Sequence, residues 1–190
     1  MIEILDFFMA NTSLKSFHFE PVFECGRCRK SDLKSPEPHL FLEKLIEVRE
    51  EAAKHFIDIY YSGGRMGAIN DVFCGAAGGN FFVTPEGNVS SCLEVTHKDD
   101  PRSKIFLYGS YENNHFNFNN DKLNLLKSRK VCNLDNCSDC FAKYNCAGDC
   151  LAKVASFGDM FDTSLDYRCD INRGALLYEI NKKLSKNGKK

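Results

Sequence analysis

The chain has 190 residues, enough for one or two domains, and 43% of them are hydrophobic, with 16 Phe and 7 Tyr available to build a core. Its 25 basic and 26 acidic side chains leave a net charge of −1, which excludes the broad positive field that nucleic acid or anionic lipid would require. Ten cysteines remain to be explained.

Residues Met1 to Ala10 include Glu3 and Asp6 and lack a basic leader, so no signal peptide is expected. No apolar run approaches the ~20 residues that span a bilayer. A cytoplasmic protein with no nucleic-acid or membrane partner is the expectation.

KSFHFEPVFE (15–24) alternates aromatic and polar positions up to Pro21 and predicts a strand running into a loop. Ser35, Pro36 and Glu37 predict a helix start, with Ser35 as cap and Pro36 at the first helical position. The helix, expected over 36–58, places Phe41, Leu45, Val48, Ala52 and Phe56 on one stripe. IDIYY (57–61) either ends it or begins a strand, and Gly63-Gly64 marks a break. This is α/β material.

Beyond Gly67 the pattern turns to short strands. NFFVT (80–84) and NVSSCLEV (88–95) flank Pro85-Glu86-Gly87 and predict a β-hairpin. IFLYGSY (105–111) predicts a further strand, ENNHFNFNND (112–121) a loop, and KLNLLKSRKV (122–131) a short helix. Helices are also expected over 147–156 and from Tyr167 to Leu184, the last with Leu176, Ile180 and Leu184 on one face. The expected division is 1–66, 67–185 and a solvated basic tail at 186–190.

In the cytosol disulfides rarely persist, whereas thiolate-bound metal does. Cys137-x2-Cys140-x5-Cys146-x3-Cys150 crowds four thiols into one polar loop, with Cys74 and Cys92 around the hairpin and Cys169 downstream. Short gaps let neighbouring thiolates face one centre, and longer gaps wrap backbone around it. One zinc at Cys137, Cys140, Cys146 and Cys150 would make a zinc-stabilised binding module with no redox role, and would leave Cys74, Cys92 and Cys169 unexplained. Iron–sulfur clusters use all seven. Cys25-x2-Cys28 is either a further redox or metal pair or two idle thiols. Phe81, Phe82, Phe141 and Tyr144 are either shields for a cluster or plain core, and His97 and His115 are expected to be solvated.

The order Cys74, Gly87, Cys92, Cys137, Cys140, Cys146, Cys150, Cys169 resembles the seven-cysteine signature of the SPASM domain. That domain is the C-terminal extension of radical S-adenosylmethionine enzymes that modify peptides and proteins, the anaerobic sulfatase-maturing enzymes among them. CGAAGGNFFVTPEGNVSSC (74–92) and IFLYG (105–109) resemble the family's first-cysteine, hairpin and following strand segments, and the match spans 74 to about 173. The resemblance implies an α+β fold: the C-terminal fragment of a partial (β/α)6 barrel, with FHFEPV (17–22) as a late barrel strand, followed by a cysteine-rich SPASM domain with a β-hairpin and helices.

It also implies two auxiliary 4Fe-4S clusters, with Cys74, Cys92 and Cys150 holding the first and Cys137, Cys140, Cys146 and Cys169 the second. The first is one ligand short. Some relatives carry a cysteine at the position of Asn80, so an open iron, a substrate group or Cys132 would complete it. The family's cofactor-cleaving cluster needs cysteines spaced x3 then x2, and no such triplet occurs; after Cys146 and Cys150 the next position required is Lys153. S-adenosylmethionine would thus act only through a missing or separate radical core. The expected function is the auxiliary iron–sulfur portion of an oxidoreductase that modifies a peptide or protein substrate, not catalytically complete alone.

Overall fold

The computed structural model describes residues 1–24, 28, 31–164 and 166–187. In chain order it contains α1 (Ile2–Asn11), β1 (Ser16–His18), α2 (Pro38–Lys54), β2 (Asp58–Tyr60), β3 (Phe82–Val83), β4 (Asn88–Ser90) and α3 (Ser103–Phe106). There follow β5 (Leu107–Glu112), β6 (His115–Phe118), α4 (Asn120–Ser128), α5 (Lys143–Cys146), α6 (Leu151–Val154) and α7 (Arg168–Asn187). The fold is α+β. Among the described residues no helix is long and apolar enough to cross a membrane.

Two compact units result, Met1–Ala68 with Tyr167–Lys190, and Ile69–Asp166. Residues 167–185, grouped from sequence with the cysteine-rich segment, here belong with the N-terminal unit, because Ile171 and Ala175 of α7 share a core with Phe41, Leu45 and Tyr61.

In the first unit, α2 begins two residues later than Ser35 and Pro36 suggested. Pro38 takes the first turn, where its missing N–H costs nothing, and the Glu37 carboxylate accepts from the Leu40 N–H at 2.9 Å. Phe41, Leu45, Val48 and Ala52 form the buried stripe. Phe56 does not continue it. The helix ends at Lys54, Phe56 is left-handed (φ 56°) and 90% exposed, and Ile57 donates back to the Ala52 carbonyl at 3.0 Å. With Phe56 N–H on the Ala53 carbonyl, this is a Schellman stop, and its apolar contact is Ile57 with Ala52.

That stop feeds IDIYY directly into β2, which pairs parallel with β1 through Ser16↔Asp58, Phe17↔Ile59 and His18↔Tyr60. Of the strand expected from Lys15 up to Pro21, only three residues pair. After β2 the Tyr61 hydroxyl donates to Asn172 Oδ1 at 2.7 Å. Gly63 and Gly64 lie against the same residue: a Cβ on Gly63 would overlap the Asn172 side chain, and one on Gly64, at φ 60°, would overlap its carbonyl.

In the second unit the antiparallel sheet runs β3-β4-β5-β6. Gly87 turns the first hairpin at φ 76°, where a Cβ would sit 2.6 Å from the Tyr111 carbonyl oxygen. The 112–121 segment, expected as a loop, contains β6. Asn113 and Asn114 both adopt positive φ (52° and 59°) between the paired residues Glu112 and His115, the two-residue turn that matches strand twist. Behind the sheet Val89, Phe106 and Tyr108 pack with Leu126 of α4 and with Leu151 and Ala152 of α6. The Asn119 side chain caps α4 by accepting from Lys122 N–H at 2.9 Å.

Candidate metal centre

The cysteine loop is anchored at its start, where Val131 N–H reaches the Asp71 carbonyl at 2.7 Å. Tight turns follow: Cys137 N–H donates to Leu134 O at 2.9 Å, Cys140 N–H to Cys137 O at 3.3 Å, and Cys146 N–H to Ala142 O at 2.8 Å. Between Cys146 and Cys150 the chain takes three left-handed residues in succession, Ala147 (54°), Gly148 (76°) and Asp149 (59°). Two of these are not glycine, so the turn costs roughly 1–2 kcal/mol per residue and must be held from outside.

Arg129 holds it. This side chain is 1% exposed, and its guanidinium donates to the carbonyls of Gly148 (2.6 Å), Ala147 (3.3 Å) and Met160 (3.1 Å). Burial lowers its pKa, and Asp149, together with the Cys137, Cys146 and Cys150 thiols when ionised, opposes that fall. Sequence gave no sign of this arginine beyond its place just ahead of the loop.

Of the seven expected ligands, six lie in the second unit. Cys137 and Cys146 are buried, Cys92, Cys140 and Cys150 half-buried, and Cys74 exposed. Cys169 stands half-buried in the first turn of α7, in the first unit. No described cysteine is in a disulfide. Burial pushes the Cys92 thiol up in pKa, a shift opposed by the Glu94 backbone N–H and reinforced by charge at Glu94 and at Cys74. Cys150 is pushed up to about 11 by burial, against the opposing Lys153 N–H, with Glu94 again adding to the rise. Cys137 also rises through burial; its Sγ lies 3.9 Å from Thr163 Oγ1, a contact that opposes the rise, while the coulombic effect of Cys140 adds to it. Cys92 thus senses charge at Cys74 and Glu94, Cys150 senses charge at Glu94, and Cys137 senses charge at Cys140.

Among the described residues no three His, Cys, Asp or Glu side chains converge into a group able to hold a metal ion. The described thiols form no closed cage. As a donor set their chemistry suits iron or zinc: soft sulfur ligands outside any disulfide, two of them facing backbone N–H groups of the kind that stabilise bound thiolate.

The remaining expected positions have ordinary surroundings. Asn80 folds back on the cysteine turn, with its N–H on Gly75 O at 2.8 Å and its Nδ2 on Ser91 O at 3.2 Å. Cys132 is exposed beside Asn133, and Cys28 Sγ reaches Leu33 O at 3.5 Å, while Cys25 lies outside the described residues. Phe81 sits on an aromatic face with Phe116 and Phe118, and Phe141 and Tyr144 are exposed. His97 lies in solvent with Asp99, and His115 is exposed on β6.

No protein-family model matches the chain, and no curated protein matches it with significance.

Proposed function

We propose that the chain is the auxiliary iron–sulfur portion of a radical oxidoreductase that modifies a peptide or protein, as its resemblance to SPASM domains implies. In this reading Cys74, Cys92 and Cys150 hold one 4Fe-4S cluster and Cys137, Cys140 and Cys146 contribute to a second. Bound there, the clusters would relay electrons or offer an iron position to the substrate. The partners are the substrate polypeptide and a radical core that handles S-adenosylmethionine.

The observation that carries the reading is the buried Arg129 cation among Cys137, Cys146 and Cys150. A buried charge is costly unless compensated, and protonated thiols compensate nothing. Asp149 supplies part of the counter-charge, and thiolate-ligated iron, which is anionic overall, would supply the rest. This chain's own contribution is then to orient sulfurs: Arg129 fixes the Cys146 to Cys150 turn, and the Glu94 and Lys153 N–H groups face the Cys92 and Cys150 sulfurs. Since the thiols do not form a closed cage, loading would couple to local closure of the loop.

Anaerobic reconstitution with iron and sulfide tests this. The expected product is brown, absorbs broadly near ~400 nm and carries about eight irons, falling to about half when Cys92 or Cys140 is replaced by Ser. Colourless protein with stoichiometric zinc would overturn the proposal in favour of a zinc-stabilised binding module.

A further inference from the structure

The first unit contains a cavity of about 290 Å3 where the end of α2, the start of β2 and the last turns of α7 meet. Its size is at the lower end of what small-molecule sites use. Three cations, Arg49, Lys182 and Lys183, and two carboxylates, Asp58 and Glu179, line it, with Ile57 and Ile59 among the apolar walls.

Arg49 is the unusual member. Its side chain is 12% exposed, and both Nε and Nη1 are shielded from solvent without a hydrogen-bond partner. Nη1 approaches Glu179 Oε1 at 3.2 Å but is not aligned to donate to it, so the pair is a charge contact only. A buried guanidinium with idle donors is a cost that a ligand would remove. The two lysines keep their reach: Lys183 is exposed, and Lys182 Nζ is held over the Tyr178 ring and 3.2 Å from its hydroxyl, at the cavity rim.

We propose that this cavity binds a small monocarboxylate with a branched or short aliphatic body. A carboxylate oxygen can accept from the idle Nε or from the idle Nη1 of Arg49, the isoleucines take the hydrocarbon, and a net lining charge of one positive suits a monoanion better than a dianion. Glu179 acts as the internal competitor that occupies Arg49 when no ligand is present. The site lies on residues that the cluster reading does not use, so either stands without the other.

The test is titration of the isotope-labelled 190-residue chain with isovalerate, followed by amide chemical shifts. Saturable shifts confined to residues 49–59 and 179–183 are expected, with isopentylamine, of similar shape but cationic, producing none. Glu179→Gln should tighten binding several-fold by removing the competitor, Lys183→Ala should weaken it, and Arg49→Gln should abolish it. Absence of saturation in the wild-type chain, unchanged affinity in Glu179→Gln, or tighter binding of inorganic phosphate than of isovalerate would each overturn the proposal. Should Arg49→Gln fail to fold, the Glu179 and Lys183 variants decide it, since both sites are partly or fully exposed.

Discussion

The Arg129 guanidinium and the Gly148 carbonyl, 2.6 Å apart, join the helix that precedes the cysteine loop to the left-handed turn that ends it. Gly148 has no room for a side chain. A Cβ there would lie 2.5 Å from Arg129 Nη1 and closer still to Leu134 Cδ1, on a backbone already at φ 76°. Gly148→Ala is therefore expected to cost about 2–3 kcal/mol, combining the left-handed penalty with displacement of the arginine. Arg129→Lys keeps the charge and loses the fork, and should cost about 3 kcal/mol. Thermal melts of the metal-free chain check both, and a loss below 1 kcal/mol in either would show that the turn does not depend on the guanidinium.

Phe56 makes the opposite case. It occupies a left-handed helix stop with its ring 90% exposed, so nothing is lost when the ring is removed and strain is relieved when glycine replaces it. Phe56→Gly should stabilise the chain by about 1 kcal/mol, despite the greater freedom of glycine in the unfolded state. Denaturant midpoints with an unchanged slope are the measurement.

The cap of α2 separates two adjacent readings of its start. Glu37→Ala removes the acceptor for Leu40 N–H and should cost about 1 kcal/mol, whereas Ser35→Ala, outside the helix, should be neutral. Equal effects from the two would place the cap elsewhere.

The Cys150 thiol gives the metal-free protein a pH dependence. Folded, it keeps its proton to about pH 11 because it is buried. Unfolded, it loses the proton near ~8.5. Between these values the folded state binds more protons, so stability is level below the lower limit and falls as pH rises through the window, at up to about 1.4 kcal/mol per pH unit. Cys150→Ala should flatten this slope in urea melts, and alkylation of Cys150 should lag behind that of exposed Cys132 until the upper limit is approached.

Much of the fold could be read from pattern. The stripe Phe41, Leu45, Val48 and Ala52 announced α2, and Pro85-Glu86-Gly87 announced the first hairpin, because in each the local period and the tertiary burial agree. The misses share a cause. Asn113-Asn114 reads as loop composition, but two left-handed asparagines turn one strand into the next, and only the pairing partner at β5 reveals which applies. Phe56 fits the helical stripe by spacing and leaves it because the chain must reverse to bury Ile57. The crowding of Cys137, Cys140, Cys146 and Cys150 into one loop was legible from spacing, while the part played by Arg129 was not: a buried arginine looks like any surface one until three carbonyls are found around it.

The missing side chains at Gly63 and Gly64 set a limit on how this protein can drift. Both abut Asn172, three positions past Cys169 on α7, so a replacement at Gly64 must push that helix turn outward and one at Gly63 must displace the buried Asn172 side chain from Tyr61, whereas Gly67, with nothing within 4 Å of its would-be Cβ, is open to many. In a saturation library selected for folding, codons 63 and 64 should stay invariant and codon 67 should diversify. The cysteine on α7 would thus be kept in place over generations by two neighbours that contribute no atoms beyond backbone.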